Sequence, residues 1–139
     1  MLVALLIAAS IAGHPVGIAC DADRNNPFPM PVDGWAHVGG DTAHITPRLC
    51  AALGSGVQHP DFPRALSVLI HESAHLRGVR REACAELYAH VLAYQVLQEH
   101  YNVPFFTVKS KWIVTIIVQQ TRLLPPEYQP QVTSCDDQP

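Results

Sequence analysis

The chain has 139 residues, a length typical of a single domain. Nine lysines and arginines against twelve aspartates and glutamates give a formal net charge of −3. Because nucleic-acid-binding proteins usually carry a basic surface, this balance argues against a general nucleic-acid partner. We expect one domain that is monomeric.

The first segment, residues 1–19, carries no charged side chain. Its apolar run over residues 1–12 is too short to span a bilayer comfortably, and the small residues around Ala12 suit a cleavage site. We predict a secretory signal peptide or, as an alternative, an N-terminal anchor that would be the protein's contact with a membrane. A buried N-terminal helix is a further interpretation. The pattern indicates a secreted or otherwise extracytoplasmic protein.

The next stretch, residues 20–34, is expected to be an extended, Pro-rich lead-in. Its alternating prolines disfavour both a helix and a central strand, since proline lacks the backbone N–H that each needs. The folded domain is then predicted over residues 35–135, with a short tail at 136–139.

The domain opens with two β-prone runs, residues 35–38 and 42–46, on either side of a Gly-Gly-Asp turn. This pattern predicts a β-hairpin. We interpret its histidines, His37 and His44, as exposed polar side chains and not as metal ligands. A Thr-Pro pair then predicts a short helix over residues 47–53.

Three longer apolar segments follow. The first is a predicted helix that begins after Asp61, a good N-cap, and ends at Gly78. A second helix is predicted over about residues 80–100. The third segment, about residues 106–124, is also predicted to be helical, although its β-branched centre leaves a strand over residues 112–118 as the alternative.

The central motif, His71-Glu72-Ser73-Ala74-His75, lies on the first of these helices. The two histidines are four residues apart, so both lie on one helical face and can bind the same metal ion. Glu72 lies beside that face and can activate a metal-bound water without being a ligand. The pattern predicts one Zn²⁺ ion with Glu72 as the catalytic base.

A third ligand is expected from the helix that follows Gly78. Glu82, Glu86 and His90 recur at intervals of four residues, so they lie along one face of that helix. The spacing leaves Glu82 and Glu86 both open as the third ligand, with His90 further along the same face.

The four cysteines, at positions 20, 50, 84 and 135, form an even set that predicts two disulfides in an oxidising compartment. Of the three possible pairings we favour Cys50–Cys84 and Cys20–Cys135. A zinc-bound Cys84 is less favoured, because on a helix it points away from the neighbouring carboxylates.

The arrangement resembles the zincin metallopeptidases, and in particular the gluzincins, in which a glutamate on the helix after His-Glu-x-x-His completes the zinc site. Several such families carry Glu-x-x-x-Asp on that helix, where the second acid orients a zinc-bound histidine. Glu82-Ala83-Cys84-Ala85-Glu86 is similar, with Glu in place of Asp. The resemblance implies that Glu82 is the third ligand and that Glu86 orients a histidine.

Two features depart from the large zincin groups. The spacing from His75 to Glu82 is shorter than in thermolysin-like enzymes, and Arg81 occupies the position of the third ligand of metzincins. Segments 45–50, 71–78 and 124–128 more closely resemble small exported bacterial proteins that are themselves predicted metallopeptidases.

This second resemblance implies a minimal zincin-like fold of the α+β class, mostly α. It would contain an active-site helix, a ligand-bearing helix, a third packing helix and a small β-hairpin. In zincin proteases, a strand beside the active-site helix offers its edge to an extended peptide. Residues 42–46 are the expected edge.

The expected function is therefore zinc-dependent hydrolysis of a peptide or protein substrate. The sequence does not choose which side chain donates a hydrogen bond to the oxyanion of the reaction. The five candidates are Tyr88, His90, Tyr94, Tyr101 and Arg77. The alternative is a non-catalytic exported domain that keeps the fold and binds a protein or cell-wall partner.

Overall fold

A computed structural model describes residues 1–130 and Cys135. The predicted tail at 136–139 lies outside the described residues. The fold is α+β and mostly helical, as predicted. In chain order the elements are α1 (Leu2–Ala12), β1 (Gly17–Ala19), β2 (Gly34–Ala36), β3 (Thr42–Ile45), α2 (Pro47–Ser55), α3 (Phe62–Arg77), α4 (Glu82–Tyr101), α5 (Val108–Thr121) and a 3-10 turn (Pro126–Tyr128).

Helix α3 is the centre of the molecule. It contacts all four other described helices and both strands of the predicted hairpin. Its apolar residues are not confined to one stripe, and Leu66, Leu69 and Ile70 are fully buried. A helix that is apolar on most sides is stable in water only when other elements surround it. This central position also fixes the His-Glu-x-x-His motif inside the fold.

The predicted hairpin is confirmed, with β2 antiparallel to β3. The sheet has a third strand that was not expected, because β1 pairs with β3 in parallel and gives the order β1-β3-β2. Strand β3 is therefore central, and β2 is an edge strand.

The N-terminal segment is part of this architecture. Helix α1 packs on α3 through Ala4, Ile7 and Ala8, all of which are fully buried. The structure thus has the buried N-terminal helix of our further interpretation, and processing of residues 1–19 stays a prediction. Within the described part of the chain, no helix combines the length and the hydropathy needed to cross a bilayer.

The later helices largely follow the predictions. Helix α2 runs two residues beyond the expected end at position 53. Asp61 precedes α3 as expected, but its side chain makes no capping hydrogen bond and instead pairs with Arg48 at 2.9 Å. The alternative of a strand over residues 112–118 is wrong, because that stretch lies within α5, which buries Ile113 and Ile117.

The predicted disulfide pairing is wrong, although two disulfides are present. The structure joins Cys20 to Cys50 and Cys84 to Cys135. The unexpected β1–β3 pairing explains the first bridge, because Cys20 directly follows β1 and Cys50 lies on the helix after β3. Since Cys84 is in a disulfide, it is not a thiolate ligand. Two disulfides indicate an oxidising, extracytoplasmic environment.

Candidate metal centre

The two motif histidines face each other on α3. Their Nε2 atoms are 3.1 Å apart, and the side chains of His71 and His75 are each only 6% exposed. The four-residue spacing places both imidazoles on one face of the helix, as predicted. The two Nε2 atoms are therefore buried and close enough together to bind the same metal ion.

The turn after α3 brings Glu82 to the same point. Gly78 has a φ of 119°, and the N–H groups of Gly78 and Val79 bond the carbonyls of His75 and Ala74. This is a Schellman motif, which ends the helix and reverses the chain. Glu82, the first residue of α4, then places Oε2 2.9 Å from Nε2 of His71 and Oε1 3.1 Å from Nε2 of His75.

The outer nitrogens of the two imidazoles have different partners. Nδ1 of His71 donates to Oε1 of Glu86 at 2.6 Å, and Nδ1 of His75 donates to the carbonyl of Val79 at 2.7 Å. A carbonyl or a carboxylate has no proton to give, so we infer that both Nδ1 atoms carry the proton. In the neutral imidazoles both Nε2 lone pairs then point to the place where Glu82 lies.

A cation is favoured at this point. Burial lowers the pKa of His71, but its hydrogen bonds to Glu82 and Glu86 outweigh burial and raise the pKa to about 10. Burial raises the pKa of Glu82, but hydrogen bonds to both histidines outweigh it and hold the pKa well below its usual range. The carboxylates thus stabilise positive charge between the imidazoles, whether a proton or a metal ion carries it.

Behind His71 the hydrogen bonds continue to α5. The hydroxyl of Thr121, which is buried, donates to Oε2 of Glu86 at 2.6 Å, and Nε2 of His90 lies 2.8 Å from that hydroxyl oxygen. The single hydroxyl proton goes to the carboxylate, so His90 is the donor to Thr121. Glu86 and His90 therefore lie behind His71 and not at the point where the Nε2 atoms meet.

Glu72 lies inside the same group. It is 6% exposed, and its Oε2 has no hydrogen-bond partner within residues 1–130. One ligand atom from each of His71, Glu72 and His75 lies within 4.8 Å of the others, so this group could hold a metal ion. The carboxylate oxygens of Glu82 are also well within 4.8 Å of the imidazoles, at 2.9 Å from Nε2 of His71 and 3.1 Å from Nε2 of His75.

Strand β2 passes directly over Glu72. A Cβ atom on Gly34 would lie 3.3 Å from Cγ of Glu72 and 2.7 Å from Cγ1 of Val68, so only glycine permits this close approach. The expectation that residues 42–46 offer a strand edge is wrong, because β3 is paired on both sides. The edge strand beside Glu72 is β2.

Tyr128, in the 3-10 turn, is a site residue that the sequence analysis did not single out. Its ring stacks on His71 with centroids 5.9 Å apart, and burial together with the adjacent Glu82 carboxylate raises the pKa of its hydroxyl. The proline pair before it predicts only the end of a helix. No periodicity in the sequence connects residue 128 with residue 71.

The five predicted oxyanion donors have other surroundings. Tyr94 contacts Phe105 and Phe106, Tyr101 contacts Phe62, and Arg77 donates to the carbonyl of Ile11. Tyr88 lines a cavity of about 200 Å³ between α1 and α4, none of whose lining residues belongs to the histidine–glutamate group. His90 donates to Thr121, as described above.

The hairpin histidines are also outside the site. His37 is exposed, as predicted. His44 is partly buried, contrary to expectation, because its ring stacks on Trp35 with centroids 3.9 Å apart and its Nδ1 bonds Oδ1 of Asp21 at 2.8 Å.

Comparison of the chain with protein-family models, with curated proteins and with solved structures finds no match in any of the three.

Proposed function

We propose that the protein is a zinc-dependent peptidase with a minimal zincin-like fold, in which His71, His75 and Glu82 bind one zinc ion. The observation that carries this proposal is the meeting of two Nε2 atoms and one carboxylate at separations of 2.9 to 3.1 Å. Imidazole and carboxylate are both zinc ligands, and catalytic zinc sites have three protein ligands and a water.

The separations support zinc coordination. Zinc–nitrogen and zinc–oxygen bonds of about 2.0–2.1 Å in tetrahedral geometry separate neighbouring ligand atoms by about 3.3 Å. The observed separations of 2.9 to 3.1 Å need only a small outward shift to reach that value. Two Nε2 lone pairs this close repel each other unless a proton or a metal ion lies between them.

In the proposed reaction, bound zinc would supply an acidified water and a polarised substrate carbonyl. Glu72 would take the proton of that water and pass it to the leaving amine, a role for which its unpartnered Oε2 is available. The outer edge of β2, an edge strand of the sheet in the described residues that passes over Glu72, would pair with an extended peptide. Tyr128, whose ring stacks on His71, would donate to the oxyanion.

The test combines zinc content, measured by elemental mass spectrometry, with cleavage of a quenched fluorescent peptide library. Wild type should hold one zinc per chain, and His75→Ala and Glu82→Ala should lose it. Glu72→Gln should keep the zinc and the thermal stability but lose cleavage by about 10²–10⁴-fold. Absence of zinc in wild type after zinc is supplied would contradict the proposal.

One observation favours the non-catalytic alternative. His71, Glu72 and His75 are at most 6% exposed, whereas the side chain of Glu82 is 35% exposed. Burial of the catalytic base and of two ligands leaves little room for a peptide substrate. A stoichiometric zinc with no cleavage of any library peptide, equal in wild type and Glu72→Gln, would support a zinc-stabilised binding domain.

A further inference from the structure

A surface outside the metal centre combines exposed large apolar side chains with lysines. We use the name aromatic–basic patch for Phe105, Phe106, Val108, Lys109, Lys111 and Trp112, at the start of α5 and in the loop before it. Phe106 is 73% exposed, Val108 87% and Trp112 54%. Single exposed apolar residues are common, but a contiguous group of large ones usually marks an interaction surface.

The backbone holds Phe106 in an unfavourable conformation. Its φ is 61°, in the left-handed region that suits glycine, and it is one of two non-glycine residues with positive φ in the described chain. Its ring lies 5.9 Å from Phe105 and 6.1 Å from Tyr94, so three aromatic rings form one cluster. Backbone strain and exposure of an aromatic ring therefore coincide at the same residue.

Charge is segregated to the same part of the chain. Residues 100–126 contain three of the nine cationic side chains, including both lysines of the protein, and none of the twelve carboxylates. This stretch therefore has a formal charge of +3, whereas the rest of the chain has −6. Lys109, Lys111 and Arg122 are exposed and form no ion pair within the described residues.

Exposed apolar side chains and lysines lie next to each other on the first turns of α5. Val108 and Trp112 are four residues apart, so they lie on one face of α5. Each residue turns the helix by about 100°, which puts Lys109 and Lys111 on either side of the Val108–Trp112 line. An apolar centre flanked by lysines is the arrangement of helices that lie in the plane of a membrane interface.

We propose that the aromatic–basic patch docks peripherally on the surface of an anionic lipid bilayer. Lysine is depleted at protein–protein interfaces, whereas both lysines of this chain border the exposed rings. Anionic lipids attract Lys109 and Lys111 beside the exposed rings and repel the rest of the chain, which has a net negative charge. This orients the protein with the aromatic–basic patch towards the lipid. The proposal is independent of zinc binding and of peptidase activity.

The test is co-sedimentation of the full, oxidised chain with vesicles of phosphatidylcholine, with or without phosphatidylglycerol. Wild type should bind only the anionic vesicles, and binding should weaken with salt. Removing both lysines in K109S/K111S should lower the affinity about 25-fold, since each cation near an anionic surface contributes roughly fivefold. Emission of Trp112 should shift to the blue on binding, because Trp35 is already buried.

Phe106→Gly separates binding from folding. Glycine is favoured at this backbone angle, so the melting temperature of the variant should equal or exceed that of wild type. Its affinity for anionic vesicles should nevertheless be several-fold lower, because the exposed ring is gone. Phe28→Ser, which removes another exposed phenylalanine, and R24S/R80S, which removes two exposed cations, are the matched controls and should bind as wild type does.

Two results would overturn the proposal. One is wild-type protein that does not bind anionic vesicles at low salt, or that binds equally well after Phe106→Gly and K109S/K111S. The other is a dimer in sedimentation velocity that Phe106→Gly dissociates, since the patch would then be an interface between two copies of the chain.

Discussion

The two sides of the candidate metal centre hold their histidines by different means. His75 is oriented by a backbone carbonyl only four residues further along the chain, that of Val79 in the Schellman turn. His71 is oriented by Glu86 on α4, which Thr121 on α5 in turn fixes. One side is therefore local in sequence, and the other requires three helices to pack correctly.

The difference shows where the site can be altered. A backbone carbonyl cannot be removed by substitution, so the His75 side is vulnerable only through the conformation of its turn. The His71 side consists of side chains that can be changed one at a time. Partners of ligating histidines commonly account for 10–100-fold in metal affinity, so the His71 side should show the larger and more graded effects.

Among the side chains that support the histidines, the largest effect on zinc affinity is expected from Glu86→Ala. It leaves the buried Nδ1 of His71 without an acceptor and removes a negative charge behind the metal, so zinc affinity should fall by about 10–100-fold. Chelator competition measures the affinity, and Glu99→Ala, an exposed carboxylate on the same helix, is the control. Equal affinities in the two variants would show that Glu86 does not support His71.

Gly78→Ala tests the local side. No atom lies within 4 Å of the added Cβ, so the substitution acts through backbone strain at φ 119° alone. It should cost about 1–2 kcal/mol of folding stability, measured by urea unfolding, and should weaken zinc binding less than Glu86→Ala does. Gly54→Ala, in α2, also has open space around its Cβ but no positive φ, so it should not destabilise the fold.

Thr121→Val tests the far end of the His71 side. Valine keeps the shape but removes the donor to Glu86 and the acceptor of His90, so Glu86 should hold His71 less firmly. We expect zinc affinity to fall only a few-fold, because Glu86 itself remains. Thr115→Val, an exposed position on α5, should have no effect on the affinity. A loss as large as that of Glu86→Ala would mean that the whole helix had moved.

The smallest effect on zinc is expected from Asp21→Asn. His44 and Asp21 form a histidine–carboxylate pair similar to His71–Glu86, but His44 does not belong to the metal group. The hydrogen bond from His44 lowers the pKa of Asp21 below its ordinary value. The pair therefore stabilises the fold above the unfolded pKa of about 3.9, and this contribution is lost as the pH falls through the folded pKa.

Asp21→Asn should accordingly flatten the decline in melting temperature below pH 4 while leaving zinc affinity within about twofold of wild type. An acid melting profile identical to that of wild type would show that the His44–Asp21 pair does not contribute to acid stability. A large fall in zinc affinity in Asp21→Asn would show that this variant also disturbs the metal centre, so it could not serve as a control for Glu86→Ala.

The local features of this protein could be predicted from its amino-acid sequence. The His-Glu-x-x-His spacing, the glycine that ends α3 and the Gly-Gly hairpin turn depend on residues close together in the chain, so periodicity and turn chemistry were sufficient to predict them. The partner of His75, the Val79 carbonyl, is equally close in the chain, but it was recognised only in the structure, where the Schellman turn brings it to Nδ1. The carboxylates Glu82 and Glu86, four residues apart on one helical face, were predicted from the same helical periodicity.

The strand order, the disulfide pairing and the distant residues of the site depend on long-range packing and could not be predicted. The pairing of β1 with β3 made β2 the edge strand and joined Cys20 to Cys50, and neither consequence follows from the composition of the strands. Thr121 and Tyr128 reach the site from positions 50 and 57 residues after His71. Contacts of this kind depend on how whole helices pack, because hydrophobic burial selects an arrangement without leaving a periodic signal in the residues that it brings together.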